Sequence, residues 1–218
     1  ALCHNYLKSN YLGGAIVVIA QTNSPNLPDV TKTRFTPDEY RAIEETAEER
    51  HEYCNGEMIA MPGGSPAHSR IATDITTFMN VGLRDTNFQT YNGDLRIWIP
   101  SFNHGTYPDV MVINGEPEFN ADLTDEILNP LLIVEVLSPS TEAYDRGEKF
   151  RKYRSLASFC EYLLVSQTEP YIERYHNLDR PNSDRWQWQV YDGIDRAIVL
   201  HSLNIELPMS EVYRRINF

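Results

Sequence analysis

Glu135 stands in the middle of the apolar run Leu131–Leu137, where a carboxylate is expelled unless something pairs with it. Asp109 follows Pro108 in the segment YPDVMVIN, and a strand's period of two puts Asp109, Met111 and Ile113 on one face. Ile133, Glu135 and Leu137 share a face in the same way. If the two strands are neighbours, Asp109 and Glu135 lie side by side. Two such carboxylates both ionise only with a cation between them. All-oxygen ligands of this kind suit Mg²⁺ or Mn²⁺, which keeps several waters. The competing reading is a structural ion pair between Glu135 and a core Arg or Lys.

The cation-bearing partner comes from the segment after the strand. On a helical wheel Phe150, Tyr153, Leu156 and Ala157 define the core direction. Lys149 lies roughly 50° from it and Lys152 roughly 110° away. Lys149 is therefore expected at the core edge and Lys152 in solvent. Asp145 and Tyr153 fall one turn either side of Lys149. A lysine beside a metal and two carboxylates can orient a water or neutralise a developing phosphate charge. The bland alternative is a surface lysine paired with Asp145. His68, at a helix start, and Glu57, on a hairpin, are candidate accessory residues. The other reading is local: His68 caps or hydrogen-bonds at the helix start, and Glu57 is a hairpin residue. His51 and Cys54 have metal-like spacing, but a lone pair does not make a zinc site. Trp186 and Trp188 alternate as strand packing rather than as a base-stacking platform.

These residues need a scaffold. Thr36-Pro-Asp-Glu39 carries a capping box with Pro at the first helical position. Tyr40, Ile43 and Ala47 give that helix its apolar stripe. HEYCNGEMIAM follows as a hairpin turning at Asn55-Gly56. A Pro/Gly loop leads to a helix over 67–83 with Ile71, Ile75, Phe78 and Met79 or Val81 facing the core. Strands are expected at Leu95–Ile99 and Tyr107–Ile113, joined through Ser101–Thr106 as an antiparallel pair. Residues 114–129 read as a surface excursion. The strand 131–137, a helix over 144–157 and strands near 162–166, 171–176, 185–191 and 197–203 complete the order. The fold class is α/β, with an α+β type of mixed central sheet, flanking helices and extra β-hairpins.

The 218 residues suit one domain, 31–218, after a poorly ordered lead-in over 1–30 that begins with Ala rather than Met. With 19 basic against 31 acidic residues the net charge is −12. That argues against a surface built to coat nucleic acid, although Arg146, Lys149, Arg151, Lys152 and Arg154 could form a local basic patch. Cys3, Cys54 and Cys160 show no CxxC spacing, so a reducing cytoplasm is expected. The apolar stretch Ala15–Ala20 is far below the ~20 residues of a membrane span. There is no GxSxG, Walker-A or GxGxxG motif.

The order of Pro108-Asp109, a Glu on the next strand and a lysine resembles the PD-(D/E)XK restriction-endonuclease-like superfamily. The usual lysine position, two residues after the Glu, is Leu137 here. That departure is similar to the Uma-two family, abundant in cyanobacteria, in which the lysine has moved to the following helix. The matching features are Gly56-Glu57, Ser65-Pro-Ala-His68, Pro108-Asp109 and the block VEVLSPST. They continue with Tyr144-Asp-Arg-Gly-Glu-Lys149, Tyr153 and Glu161-Tyr162, so the likeness spans roughly residues 35–215. The resemblance implies a nuclease fold, a divalent metal, hydrolysis of phosphodiester bonds in nucleic acid with DNA favoured, and a homodimer. Its rivals are a catalytically inactive nuclease fold kept for binding, and a hydrolase of smaller phosphoesters.

Overall fold

The computed structural model describes residues 33–218; the lead-in assigned to 1–30 and Cys3 lie outside the described residues. The chain divides after Met61 into two compact units.

In the first unit Thr36 caps helix α1 (Pro37–Glu44), and the reciprocal bond from Glu39 completes the capping box. The Tyr40 hydroxyl donates to the His51 carbonyl at 2.8 Å and the Tyr53 hydroxyl to the Phe35 carbonyl at 2.9 Å. The two rings stack with centroids 5.0 Å apart. Strands β1 (His51–Cys54) and β2 (Glu57–Ala60) form an antiparallel hairpin. Asn55 and Gly56 both take positive φ, 45° and 101°, as the favoured two-residue hairpin turn requires.

The second unit is built on a six-stranded sheet ordered β11-β10-β9-β8-β6-β3. Its strands are β3 (Phe88–Asn92), β6 (Val110–Asn114), β8 (Leu132–Leu137), β9 (Glu161–Ser166), β10 (Tyr171–His176) and β11 (Gln187–Asp192). β8 runs parallel to β9 and antiparallel to β6, so the sheet is mixed. One face carries helix α2 (Pro66–Gly82), the hairpin β12 (Ala197–Leu200)–β13 (Ile205–Pro208) and the short α5 (Met209–Val212) over a core including Ile71, Ile75, Val134 and Leu163. The other face packs Met111, Ile113, Ile133 and Leu137 against Ile97, Ile99, Phe150 and Tyr153.

β4 (Arg96–Ile99), β5 (His104–Thr106) and β7 (Glu126–Ile127) make a second group of strands. Here the structure corrects the expected pairing of Leu95–Ile99 with Tyr107–Ile113. The antiparallel partner of β4 is β5, reached through the 3-10 turn Pro100–Phe102, and the chain then breaks at Tyr107–Asp109 before β6 joins the large sheet. Pro108 cannot donate a ladder hydrogen bond, so it sits at the break. The excursion over 114–129 also ends in structure: β7 runs parallel to β4, with Glu126 and Ile127 fully buried. Arg96, buried beside them, holds Asp125 at 2.7 Å and Glu126 at 3.2 Å.

The helix expected over 144–157 covers 142–153 and is not uniform. Regular turns α3 (Glu142–Tyr144) and α4 (Phe150–Tyr153) flank a π-helical stretch, Asp145–Lys149. Leu156 and Ala157 lie beyond its end, and Ala157 is exposed. In α2 the inward face is Ile71, Ile75 and Met79, whereas Val81 is exposed. Replacing Ile75 by Ala is therefore expected to cost about 2–5 kcal/mol, and Val81→Lys to stay within about 0.5 kcal/mol of wild type. Urea unfolding of the two variants checks both. Equal losses would put the core face of α2 elsewhere.

Candidate active site

β8 is buried along its whole length, so Glu135 depends on protein partners far more than on water. Lys149 Nζ lies 2.9 Å from its Oε1, and the Tyr153 hydroxyl donates to the same oxygen at 2.8 Å. Lys149 also stands 3.5 Å from Asp145 Oδ1, one turn earlier on the helix. All three charged groups of this triad are buried. A ring of aromatic side chains encloses it. Phe150 stacks on Tyr162 at 5.1 Å and meets Trp186 edge-on, Tyr153 and Phe159 pack against Tyr162, and the Tyr162 hydroxyl donates to the Asp145 carbonyl at 3.1 Å.

The Glu135 carboxyl is pushed up to about 8, chiefly by burial, with the Lys149 ammonium opposing the rise and Asp145 and Asp109 adding to it. Burial likewise holds the Tyr162 phenol well above its ordinary range, with Glu135 adding to the effect. A carboxyl in that setting is a group whose charge a second cation would stabilise.

Asp109 comes from the break before β6. The register Val110–Val134 and Met111–Ile133 continues one step to set Asp109 opposite Glu135. Backbone pairing with β8 ends at Val110, and the Asp109 side chain takes over: its Oδ2 accepts the Val136 N–H at 2.7 Å. The same oxygen lies 3.2 Å from His68 Nε2. Its hydrogen bond to Asp109 raises the His68 pKa, although burial opposes it. His68 is placed by the first turn of α2, where Ser65 caps its backbone N–H at 3.0 Å.

Asp109, Glu135, Lys149, His68 and Asp145 therefore meet at one end of the large sheet. Glu57 belongs to the first unit, as a half-buried hairpin residue opposite Cys54. His51 is likewise in that unit, its Nδ1 2.7 Å from Glu44 Oε1. Lys152 is buried rather than solvated, its Nζ donating to the Tyr144 hydroxyl at 3.0 Å. The wheel gives only an angle, and Lys152 keeps its regular relation to Phe150 and Tyr153 in α4; what buries it is Tyr144, whose ring centre lies 5.2 Å from Nζ. Of the expected basic patch, Lys149 and Lys152 are buried and Arg146 is bonded to Glu173, while Arg151 and Arg154 are exposed. Trp186 packs in the aromatic ring as expected, but Trp188 is 59% exposed, with its N–H on Glu173. Sequence reasoning passed over Gln167, which follows β9 and donates to the Leu137 carbonyl at 2.7 Å. A lone polar residue after a strand carries no periodic signal.

Whether the donor set suits a divalent metal can be asked of its oxygens. Among the described residues no three His, Cys, Asp or Glu side chains form a metal-holding group. Asp109 and Glu135 each spend one oxygen on protein donors, and Asp109 Oδ1 and Glu135 Oε2 accept no hydrogen bond from the described residues. Mg²⁺ is commonly held by one or two carboxylates with water completing its shell, so this pair fits it.

This mixed sheet with buried acids and lysine at one end defines a restriction-endonuclease-like fold. The profile of the Uma2 family, described as "Putative restriction endonuclease", matches residues 37–210, and the chain belongs to that family. It is 38% identical over 191 residues to the uncharacterized protein slr1290 of Synechocystis sp., covering 88% of this chain and 97% of that protein. It is 36% identical over 144 residues to sll1609 of the same organism, covering 66% of this chain and 81% of the relative. The crystal structure of a "putative nuclease belonging to DUF820" from Anabaena variabilis superposes with a TM-score of 0.66 at 20% identity, over 84% of this chain and 99% of that one. Among the described residues no helix is long and apolar enough to cross a membrane.

Glu135 binds its proton more tightly folded than unfolded, so its contribution to stability falls as pH rises from the unfolded-state value to about 8, and above that the Lys149 ammonium supports its ionised form. Lys149→Met raises the acid further, so its deficit is expected to be larger at pH 9 than at pH 5, where Glu135 is neutral with or without the lysine, by about 1 kcal/mol for the one pH unit gained. Urea unfolding at the two pH values measures this. A deficit independent of pH would mean that Lys149 does not hold the Glu135 charge.

Proposed function

We propose that the chain is a Mg²⁺-dependent endonuclease (Mn²⁺ substituting) that hydrolyses phosphodiester bonds in nucleic acid, with DNA favoured over RNA. The observation that carries this reading is the meeting of Asp109, Glu135 and Lys149, with one oxygen of each acid left unused by the protein. The family description and the fold point the same way.

In this reading Asp109 and Glu135 would hold the metal, which when bound would supply polarisation of the scissile phosphate and a lowered pKa for an attacking water. Tyr153 and Lys149 fix the Glu135 carboxylate through Oε1, and His68 with the Val136 N–H fixes Asp109 through Oδ2. Lys149, steadied by Asp145, directs its ammonium to where charge develops on the phosphate or to the water itself. Enclosure by aromatic rings keeps that charge effective, because a low-dielectric wall screens it less than water does. A homodimer would offer two such sites to a duplex, and the cytoplasm, where Cys54 and Cys160 stay reduced, is its proposed setting.

Two measurements test the reading. Calorimetric titration of Mn²⁺ is expected to show saturable binding in wild type that is lost in Glu135→Ala, with circular dichroism unchanged. Supercoiled plasmid, single-stranded DNA and RNA are then incubated with Mg²⁺. Cleavage is expected to be suppressed by EDTA and to fall about 100-fold or more in Asp109→Ala and Lys149→Ala, the scale of losing one electrostatic stabiliser. Identical weak isotherms in wild type and variant, with nucleic acid bound but uncut, would replace this reading by the inactive binding module.

A further inference from the structure

We propose that Gln167 is a positioning residue of this site, locking the loop that carries His68 to the strand end that follows Glu135 and so aiming the Asp109 carboxylate. As a statement about metal binding, the inference rests on the reading above.

The polarity of the contacts leaves one arrangement. The Leu137 carbonyl only accepts, so the Gln167 atom 2.7 Å from it is the amide nitrogen. Gln167 Oε1 is thereby turned to Ser65 and itself only accepts, so the Ser65 hydroxyl must donate to it. The remaining lone pairs of Ser65 Oγ receive the His68 N–H at 3.0 Å. From His68 the ring reaches Asp109 Oδ2 at 3.2 Å, and that oxygen takes the Val136 N–H at 2.7 Å. Val136 is covalently joined to Leu137, and the circuit closes. It ties three segments far apart in sequence, 65–68, 109 and 136–137, through a fourth at 167.

Two further observations assign the circuit to geometry rather than to bulk stability. Ser65 is exposed and Gln167 only half-buried, and hydrogen bonds in contact with water add little net stability. Gly64 lies so close that a Cβ there would come within 2.9 Å of His68 Nδ1. Gly64 thus leaves room for the imidazole as it stands against Asp109. With Oδ2 pinned from two sides, Asp109 can present only Oδ1 to a ligand.

The test compares Gln167→Glu, Gln167→Met and wild type in the full chain. Gln167→Glu keeps the shape but sets an acceptor against the Leu137 carbonyl; Gln167→Met keeps the bulk without polar ends. Hydrogen exchange of the His68 and Val136 backbone amides, followed by NMR, reports the circuit with no metal present. Both amides are expected to exchange about tenfold faster in both variants, while the unfolding midpoint stays near that of wild type. Mn²⁺ affinity by calorimetry is expected to weaken about five- to tenfold in both. Unchanged exchange at His68 and Val136, or full retention of Mn²⁺ affinity by Gln167→Met, would overturn the inference and leave Gln167 as a space-filler. Absence of Mn²⁺ binding in wild type would instead fail the nuclease reading, and the exchange rates would still decide whether Gln167 orders the loop.

Discussion

The structure turns on keeping one ionisable group, Glu135, inside a strand almost wholly removed from water. An isolated carboxylate there would simply hold its proton. The protein supplies an ammonium and a phenol to the same oxygen and walls both with Phe150, Phe159, Tyr162 and Trp186. That compensation is incomplete, since Glu135 remains a weak acid with its pKa pushed up to about 8. Packing of the helix at 142–153 and the chemistry of the site are consequently one problem. The helix must descend far enough to bury Lys149, Asp145 and Lys152, yet also turn Phe150 and Tyr153 onto the sheet. The segment passes through a π turn at Asp145–Lys149, a feature frequent at functional sites.

Asp109 meets a different constraint. It sits where the chain leaves one group of strands for another, and Pro108 has no N–H to offer either. The carboxylate closes the gap by accepting the Val136 N–H that β6 no longer reaches. A group that ends a ladder in this way is fixed by backbone on one side and remains open on the other, which is what a ligand-binding oxygen requires.

Much of this was legible because it follows from period and chemistry. Glu135 was conspicuous as a charge in an apolar run, its facing relation to Asp109 followed from strand alternation, and Lys149 fell at the core edge of the wheel. What was not legible depends on contacts and on local departures from ideal geometry. The wheel put Lys152 in solvent because an angle carries nothing about Tyr144, whose ring and hydroxyl cover the ammonium. The expected Tyr107–Ile113 strand ignored that Pro108 divides it, so the partner of β4 was misassigned to β6 instead of β5. Val81 satisfies the hydrophobic pattern of α2 as well as Met79 does, and only packing separates them. Gln167 works through a contact about a hundred residues away in sequence, which no window on the sequence contains.

The lysine bears on how far the chain departs from the common arrangement, in which it follows the acid by two residues on the same strand. Here that position is Leu137, buried among Ile133, Phe150 and Leu164. A residue two along a strand emerges on the acid's own face, so a lysine there would have to be accommodated within this apolar cluster. Lys149 instead approaches from the helix above the sheet and reaches the same Glu135 oxygen at 2.9 Å. Asp145, one turn away, fixes its side chain in a way that strand geometry would not provide. What electrostatic catalysis requires is where the ammonium ends, not which element carries its Cα. A lysine carried by the helix thus sets an ammonium against Glu135 while position 137 belongs to the core.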